Sequence, residues 1–316
     1  MKDLSIILPI YNESGNIQIL YDRLSKVISG MNVDAEFIFI NDGSHDNSID
    51  LIKKLSEIHT EVRFIDFSRN FGHQIAVAAG LDYCRGKAAV IIDADLQDPP
   101  ELIPELYAKW KAGYEVVYAK RRSREGENFL KKFTAKIFYR TLKRITSIPI
   151  PVDTGDFRII DAKVIEVLRK MPEQQKFLRG QISWVGFRQT YIEYDRDTRH
   201  AGESGYTYKK MMRFALDGIT SFSNLPLKFA TLTGFAVSGI AFFFILYALY
   251  ERLITKNYVP GWASLMLAIL FLGGVQLISI GIIGEYISRM SSNIRNRPLY
   301  ILRDTNLPDP DQKSSQ

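Results

Sequence analysis

Two long stretches without a single charge dominate the C-terminal third of the chain: Phe229–Tyr250, 22 residues, and Val259–Gly284, 26 residues. About 20 apolar residues cross a bilayer as a helix, because a helix satisfies its own backbone hydrogen bonds where there is no water. A buried core helix of this length and uniformity is rare. The pattern therefore predicts two transmembrane helices behind a polar N-terminal part. Loop charge orients them. Lys209, Lys210, Arg213 and Lys228 precede the first, Arg289, Arg295, Arg297 and Arg303 follow the second, and only Arg252 and Lys256, beside Glu251, lie between. The positive-inside rule puts both flanks in the cytoplasm. The expectation is a multi-pass protein of the inner (plasma) membrane with its N-terminal domain and both termini cytoplasmic. The chain beyond Asn306 is polar with two prolines and reads as disordered.

The remainder is a different kind of sequence. Leu4–Leu8, Glu36–Ile40, Val62–Phe67, Ala88–Ile92 and Glu115–Ala119 read as strands, and helical patterns at 16–29, 46–58, 73–84 and 99–112 lie between them. Strands alternating with helices predict an α/β fold with a mostly parallel sheet covered on both faces. Such sheets bind ligands outside the carboxyl ends of their strands. Polar motifs fall at those places. The first residues enter a strand-like run at once, without the basic region, apolar core and cleavage site of a signal peptide. One cysteine, Cys84, allows no internal disulfide, which suits a reducing compartment.

A net charge of +6 has several readings. Zinc-ligand spacing and aromatic RNA-binding motifs are lacking, so nucleic acid is not the expected partner. Anionic lipid or a phosphorylated substrate fits better. Phe129, Leu130, Phe133, Ile137, Phe138, Leu142 and Ile145 recur at a helical period among Lys131, Lys132, Lys136, Arg140, Lys143 and Arg144. That is a basic amphipathic helix over 126–146, of the kind that lies on membrane lipids; a core helix with a solvated basic face is the alternative. Met211–Leu227, with Phe214, Leu216, Ile219 and Phe222, leads straight into the first apolar run.

Five motifs carry chemistry. Pro9-Ile10-Tyr11-Asn12-Glu13 ends the first strand and Asn41-Asp42-Gly43-Ser44-His45-Asp46 the second. Asp-Gly commonly marks a turn, but a helical pattern follows here, as at a strand-to-helix ligand loop. Asp93-Ala94-Asp95-Leu96-Gln97-Asp98-Pro99-Pro100 follows the Ala88–Ile92 run. Two carboxylates two residues apart at a strand end can approach one hard cation, and the Gln97 carbonyl can join them. Mg2+ or Mn2+ takes oxygen ligands and keeps positions open for substrate phosphates; a diphosphate leaving group gains from such a cation as its charge develops. Val152-Asp153-Thr154-Gly155-Asp156-Phe157-Arg158 places a carboxylate after a glycine, where it can protrude from a tight turn. Arg199-His200-Ala201-Gly202-Glu203-Ser204-Gly205-Tyr206 combines an arginine, a flexible loop and hydroxyls, a set suited to phosphate. Each of the last two also has a bland reading as a solvated loop.

The ordered set Pro-x-Tyr-Asn-Glu, Asn-Asp-Gly-Ser, Asp-Ala-Asp-Leu-Gln-Asp-Pro-Pro-Glu, Asp-Thr-Gly-Asp-Phe-Arg and Arg-x-x-Gly-x-Ser strongly resembles the polyisoprenyl-phosphate branch of the family 2 glycosyltransferases. That branch includes the dolichyl-phosphate mannose synthases and the bactoprenol glucosyltransferases. The resemblance covers about residues 1–225, and two C-terminal membrane helices make the bactoprenol group the closer match. It implies a GT-A (Rossmann-like) domain over 1–225, a two-helix membrane domain over 226–288 and a cytoplasmic tail over 289–316. It implies inverting, metal-dependent transfer of a hexose from a nucleotide-diphosphate sugar to a polyisoprenyl (undecaprenyl) phosphate. UDP-glucose is the favoured donor and GDP-mannose the alternative. It places the nucleotide sugar against Pro9, Tyr11, Glu13, Asp42 and Asp93, and the cation on Asp95 with Asp93 and Gln97 close by. It makes Asp156 and Asp95 the catalytic pair, and puts the acceptor phosphate near Arg199 and Ser204, with Arg121 and Arg122 as weaker candidates. One departure is Ser204-Gly205-Tyr206, where many relatives have Ser-Lys-Tyr, so a cationic contact must be absent or come from elsewhere.

A phosphate monoester is largely ionised at neutral pH, its second pKa lying near 6. Asp156 is therefore a base only for a residual proton, or else it orients the acceptor or a nearby arginine. A processive polysaccharide synthase is disfavoured because no Gln-x-x-Arg-Trp motif occurs. A non-catalytic nucleotide-sugar-binding protein does not need Asp93, Asp95 and Asp156 intact. A flippase is poorly served by two helices. Gly273, Gly274, Gly281 and Gly284 permit close helix approach, which predicts a homo-oligomer, a tetramer being the working guess.

Overall fold

The computed structural model describes residues 2–122, 154–195, 225–250, 254 and 261–308. The basic segment 126–146, most of Met211–Leu227, Arg199, Ser204 and the end beyond Pro308 lie outside those residues. The described chain forms two compact units, an α/β unit that also includes the segment from Arg297 onward and an apolar hairpin within Arg213–Asn296.

In the α/β unit, strands β1 (Leu4–Ile10), β2 (Ala35–Asn41), β3 (Val62–Phe67) and β4 (Ala88–Ile91) make the parallel heart of an eight-stranded sheet. β5 (Val116–Arg121), β6 (Thr154–Asp161), β7 (Gln189–Tyr194) and β8 (Leu302–Thr305) complete it in the order β7-β5-β6-β4-β1-β2-β3-β8. Strand side chains alternate between faces, and this divides the core in two. Leu4, Ile6, Leu8 and Ile10 of β1 pack with Leu20 and Leu24 of α1 (Ile17–Met31), Ile52 and Leu55 of α2 (Ser48–Ile58), and Ile103 and Leu106 of α4 (Ile103–Lys111). Ile7 turns to the other face, towards Ala76 and Val77 of α3 (His73–Tyr83), Val164 of α5 (Ala162–Arg169) and Ile182 of α6 (Leu178–Trp184). The helices therefore cover both faces, as the alternating pattern predicts.

Two strands depart from that pattern. Asp156 is not on a tight turn: β6 runs antiparallel between β4 and β5 and carries Gly155 and Asp156 within it. The segment read as a separate tail contains β8, which pairs antiparallel with β3 and ends near the buried Leu307. Its physical reason is the open edge of β3, whose backbone groups need partners.

In the second unit, α7 (Leu225–Tyr250) and α8 (Trp262–Ile294) pack on each other. Both are long and apolar enough to cross a membrane, and Phe235, Phe243 and Leu277 are each more than two-thirds exposed in the isolated chain. At about 1.5 Å per residue, α7 is about 39 Å long, enough for a hydrocarbon layer of about 30 Å. Thr231, Thr233 and Ser279 donate to carbonyls one turn back, at 2.9, 2.7 and 2.9 Å, so their hydroxyls need no water. α8 runs beyond Gly284, where a Glu285–Arg289 pair at 3.1 Å marks its polar end.

Candidate active site

The first two motifs form one preorganised platform. β1 and β2 are parallel neighbours in register, with Ile10 opposite Asn41, so their exit loops emerge side by side. The Asn12 amide donates to Ser44 Oγ at 3.0 Å, the His45 amide to Asn12 Oδ1 at 2.8 Å, the Glu13 amide to Ser48 Oγ at 3.1 Å and the Ser14 amide to Asp46 Oδ2 at 3.1 Å. Asn12 has φ 56°, a left-handed conformation that asparagine tolerates better than most residues. Above this seam Tyr11 is 44% exposed and meets the His45 ring edge-on, a surface fit for a planar base. Glu13 accepts from Asn16 Nδ2 at 2.6 Å, while Pro9 is buried within β1.

Asp42 has a structural occupation. It is buried, and its carboxylate accepts from the Phe71 amide at 2.6 Å and the Gly72 amide at 2.9 Å. Burial pushes its carboxyl above the usual range, against the pull of those two amides. The Asp42 carbonyl accepts from Asn70 Nδ2 at 3.1 Å. Gly43 has φ +64°, and a Cβ there would stand 2.4 Å from the Arg69 carbonyl carbon, so only glycine lets the Ser68–Gly72 loop lie so close. The second motif and this loop are thus one body.

The charged centre lies where the end of β4 meets the start of β6. Asp156 receives Arg179 Nε at 2.9 Å, His73 Nε2 at 3.1 Å, Gln74 Nε2 at 3.2 Å and Arg158 Nη2 at 3.4 Å. His73 also faces Asp93 Oδ1 at 3.5 Å. Burial pushes the Asp156 carboxyl up, but Arg179, His73 and Arg158 outweigh it and hold the group well below the usual carboxylate range. Burial works against a charged His73, yet Asp93 and Asp156 raise it to about 9, so the imidazole is an imidazolium at neutral pH. Asp93 goes the other way: burial lifts it to about 6, His73 opposing and Asp156, Asp98 and Asp95 adding to the rise.

His73, Gln74, Arg158 and Arg179 were not among the residues singled out from sequence. Arg158 was quoted in a motif without a role; it is 1% exposed, donates to the Gly155 carbonyl at 2.7 Å and lies over the Tyr118 ring. For the others no local signal existed. They reach Asp156 across 83, 82 and 23 residues of sequence.

On the far side, Tyr194 donates to the fully buried Asp98, and Arg121 approaches both, at 3.5 Å from the tyrosine hydroxyl and 4.0 Å from Asp98. A Cβ on Gly155 would sit 3.0 Å from Arg121 Nη2, so Arg121 borders the centre. Arg122 is more exposed and pairs with Asp195 at 3.4 Å.

These residues fit a divalent cation. Asp93 Oδ1 is buried and accepts no hydrogen bond, with His73 Nε2 3.5 Å away and further carboxylates around it. The Asp95 Oδ1 accepts from the Gln97 amide at 3.2 Å, which curls the loop so that both side chains share one turn. Among the described residues no three His, Cys, Asp or Glu groups make a ready cage. Mg2+ and Mn2+ do not require one, since water and substrate phosphates complete their shells.

Comparison with known proteins gives the family. The model of glycosyl transferase family 2 matches residues 5–169, and that of the GtrB C-terminal hairpin matches residues 225–290. An uncharacterized glycosyltransferase of Bacillus subtilis, YkcC, is 50% identical across 95% of this chain and 93% of its own. The SfII prophage-derived bactoprenol glucosyl transferase of Shigella flexneri is 40% identical across 97% of this chain and 99% of its own. Glucosyl-3-phosphoglycerate synthase of Mycobacterium tuberculosis, solved with Mn2+, UDP-glucose and phosphoglyceric acid, aligns over 69% of this chain and 78% of its own. With 18% identity and a TM-score of 0.45, that likeness is too distant to carry an argument. Motifs, sheet and both model matches converge, and the chain belongs to glycosyl transferase family 2, a glycosyltransferase with a GT-A-like α/β domain and a GtrB-type C-terminal hairpin.

Proposed function

We propose that this chain transfers glucose from UDP-glucose to a polyisoprenyl phosphate, with inversion at the anomeric carbon, at the cytoplasmic face of the plasma membrane. The observation that carries the reading is the charged centre: carboxylates suited to a cation-bound diphosphate stand beside a cationic cluster around Asp156 suited to an anionic acceptor. The near-full-length likeness to bactoprenol glucosyl transferases supports the acceptor and the sugar. The apolar hairpin supports an acceptor met in the bilayer.

In this reading the nucleotide lies on the Tyr11–Glu13 and Asp42–Ser44 platform. Asp93, Asp95 and Gln97 would hold Mg2+ or Mn2+, which neutralises the developing charge of the departing diphosphate. A phosphate oxygen of the lipid attacks the anomeric carbon as the bond to the nucleotide's β-phosphate oxygen breaks, the electron pair leaving with UDP. No strong base is needed, because the acceptor is already ionised. Asp156, paired with two arginines and an imidazolium, is a weak proton acceptor; its work is to hold Arg179 and His73 where negative charge gathers. Arg121 borders the same space, and Arg199 and Ser204 would extend it. The protein acts as a homo-oligomer, with both termini cytoplasmic.

The test is release of nucleoside diphosphate from purified protein as a function of added polyprenyl phosphate, with UDP-glucose and GDP-mannose offered separately. Release with UDP-glucose that requires the lipid supports the reading. Release with GDP-mannose alone transfers the assignment to mannose, and release without lipid refutes the acceptor.

A further inference from the structure

We propose that the segment Tyr300–Leu307, which follows the apolar hairpin in sequence, is a positioning element of the donor site. β8 does more than close a sheet edge. It grips β3 and the Ser68–Gly72 loop, which braces the nucleotide platform through Asp42. Tyr300 stacks on Phe67 with ring centroids 5.1 Å apart and planes 18° apart, and its hydroxyl donates to Asp82 of α3 at 3.0 Å. Phe67 in turn meets Phe71 edge-on at 5.6 Å. The Ser68 amide donates to the Ile301 carbonyl at 2.9 Å, and Arg303 Nη2 donates to the Ser68 carbonyl at 2.8 Å. Both backbone hydrogen-bonding groups of Ser68, the first residue of the loop, are thus taken by the C-terminal segment.

From there two short paths reach the platform. Along the loop, the Phe71 and Gly72 amides clamp the Asp42 carboxylate. Across the sheet, Arg303 Nη1 lies 3.8 Å from the buried Asp66, whose Oδ1 accepts from Asn41 Nδ2 at 2.7 Å. Asn41 Oδ1 then accepts from the Ser44 amide at 3.3 Å. The far end of the segment is anchored independently. The Asn306 side chain accepts from the Phe64 amide at 2.8 Å and donates to the Val62 carbonyl at 3.3 Å, and Leu307 is buried in the core on the α3 face of the sheet. A short strand with this many specific bonds is fixed at both ends along β3, and its Tyr300–Arg303 end holds the first residue of the loop. The consequence is that donor affinity depends on residues more than 200 positions from the donor motifs in sequence.

This inference rests on the donor platform proposed above, so its test has one arm that does not. Full-length protein in detergent is compared with Tyr300→Ala, Arg303→Ala and the conservative Tyr300→Phe, which keeps the stack. In the first arm, hydrogen exchange at the Phe71 and Gly72 amides should accelerate in both alanine variants, with β1 and β4 unchanged; unchanged exchange at those two amides overturns the proposal. In the second arm, loss of an aromatic stack or a charged hydrogen bond should raise KM for UDP-glucose and Kd for UDP by about tenfold. Turnover and KM for polyprenyl phosphate should hold, and Tyr300→Phe should recover most of the loss. A uniform fall in turnover with donor KM unchanged also overturns it. Arg303, at 58% side-chain exposure, is a mild enough site to keep a folded variant if Tyr300→Ala does not fold. If wild-type protein binds neither UDP-glucose nor GDP-mannose, the donor reading fails while the exchange arm still decides the clamp.

Discussion

Replacing Asp156 by asparagine separates an anchor from a base. Asparagine keeps the size and one acceptor oxygen but removes the charge and turns two N–H donors towards a pocket of donors. Arg179 at 2.9 Å, His73 at 3.1 Å and the 1% exposed Arg158 at 3.4 Å then lose their shared counter-charge. Removing one partner from a buried ion pair costs about 3–5 kcal/mol. In a domain of this size that lowers Tm by about 6–20 °C. The pH dependence follows from the shifts. Asp156 is held below its ordinary value, so its stabilisation is present above pH 3.8 and is lost as pH falls through the folded value. His73 is raised from 6.5 to about 9, so its part is fully present below 6.5 and disappears as pH rises through about 9. The Tm gap between wild type and Asp156→Asn should thus be widest from about pH 4 to 6.5 and narrow towards and above pH 9, read by thermal melts across that range. Turnover should drop about a hundredfold or more through lost electrostatic positioning. A variant with wild-type Tm at pH 6 would refute the ion-cluster argument. Disappearance of an acidic limb from the rate profile in the variant would make Asp156 the proton acceptor after all.

Further expectations are open to measurement. Asp95→Ala should abolish transfer while leaving the fold intact by circular dichroism, and Mn2+ binding followed by calorimetry should weaken below about pH 6 as Asp93 takes up its proton; transfer that survives in that variant or in excess chelator removes the cation from the mechanism. Gly43→Ala should cost more than about 1–2 kcal/mol, since the left-handed conformation alone costs that much, and should weaken donor binding because the Ser68–Gly72 loop is pushed away; an unchanged Tm contradicts the close packing. Changing Lys131, Lys132, Lys136 and Arg140 together to glutamate should weaken transfer in anionic liposomes, each charge having been worth about 1 kcal/mol of attraction, with nucleotide-sugar affinity in detergent unaltered; unimpaired transfer means that this segment does not dock the domain.

The legible part of the chain is the part whose physics is local. The period of two in Leu4–Ile10 decides which residues of β1 face which core, and an uncharged run of more than about 20 residues is long enough to cross a membrane as a helix wherever it occurs. The motifs after β1, β2 and β4 were readable because they end strands, and a parallel sheet brings those strand ends to one side. Asp93, Asp95 and Asp42 were named on that basis, and Asp156 on the glycine before it and the family resemblance, but what each does there was not written in their own neighbourhoods. Asp42 turns its carboxylate to the Phe71 and Gly72 amides because the loop after β3 returns to it. Asp156 becomes an ion-pair anchor because α3 and α6, on one face of the sheet, bring His73 and Arg179 to a strand inserted out of chain order between β4 and β5. β8 carries Leu302, Arg303, Asp304 and Thr305, with too few residues and too little alternation to signal a strand. It exists because β3 has an open edge and because Tyr300 and Leu307 find apolar places beside it, and no reading of Tyr300–Leu307 in isolation contains either surface.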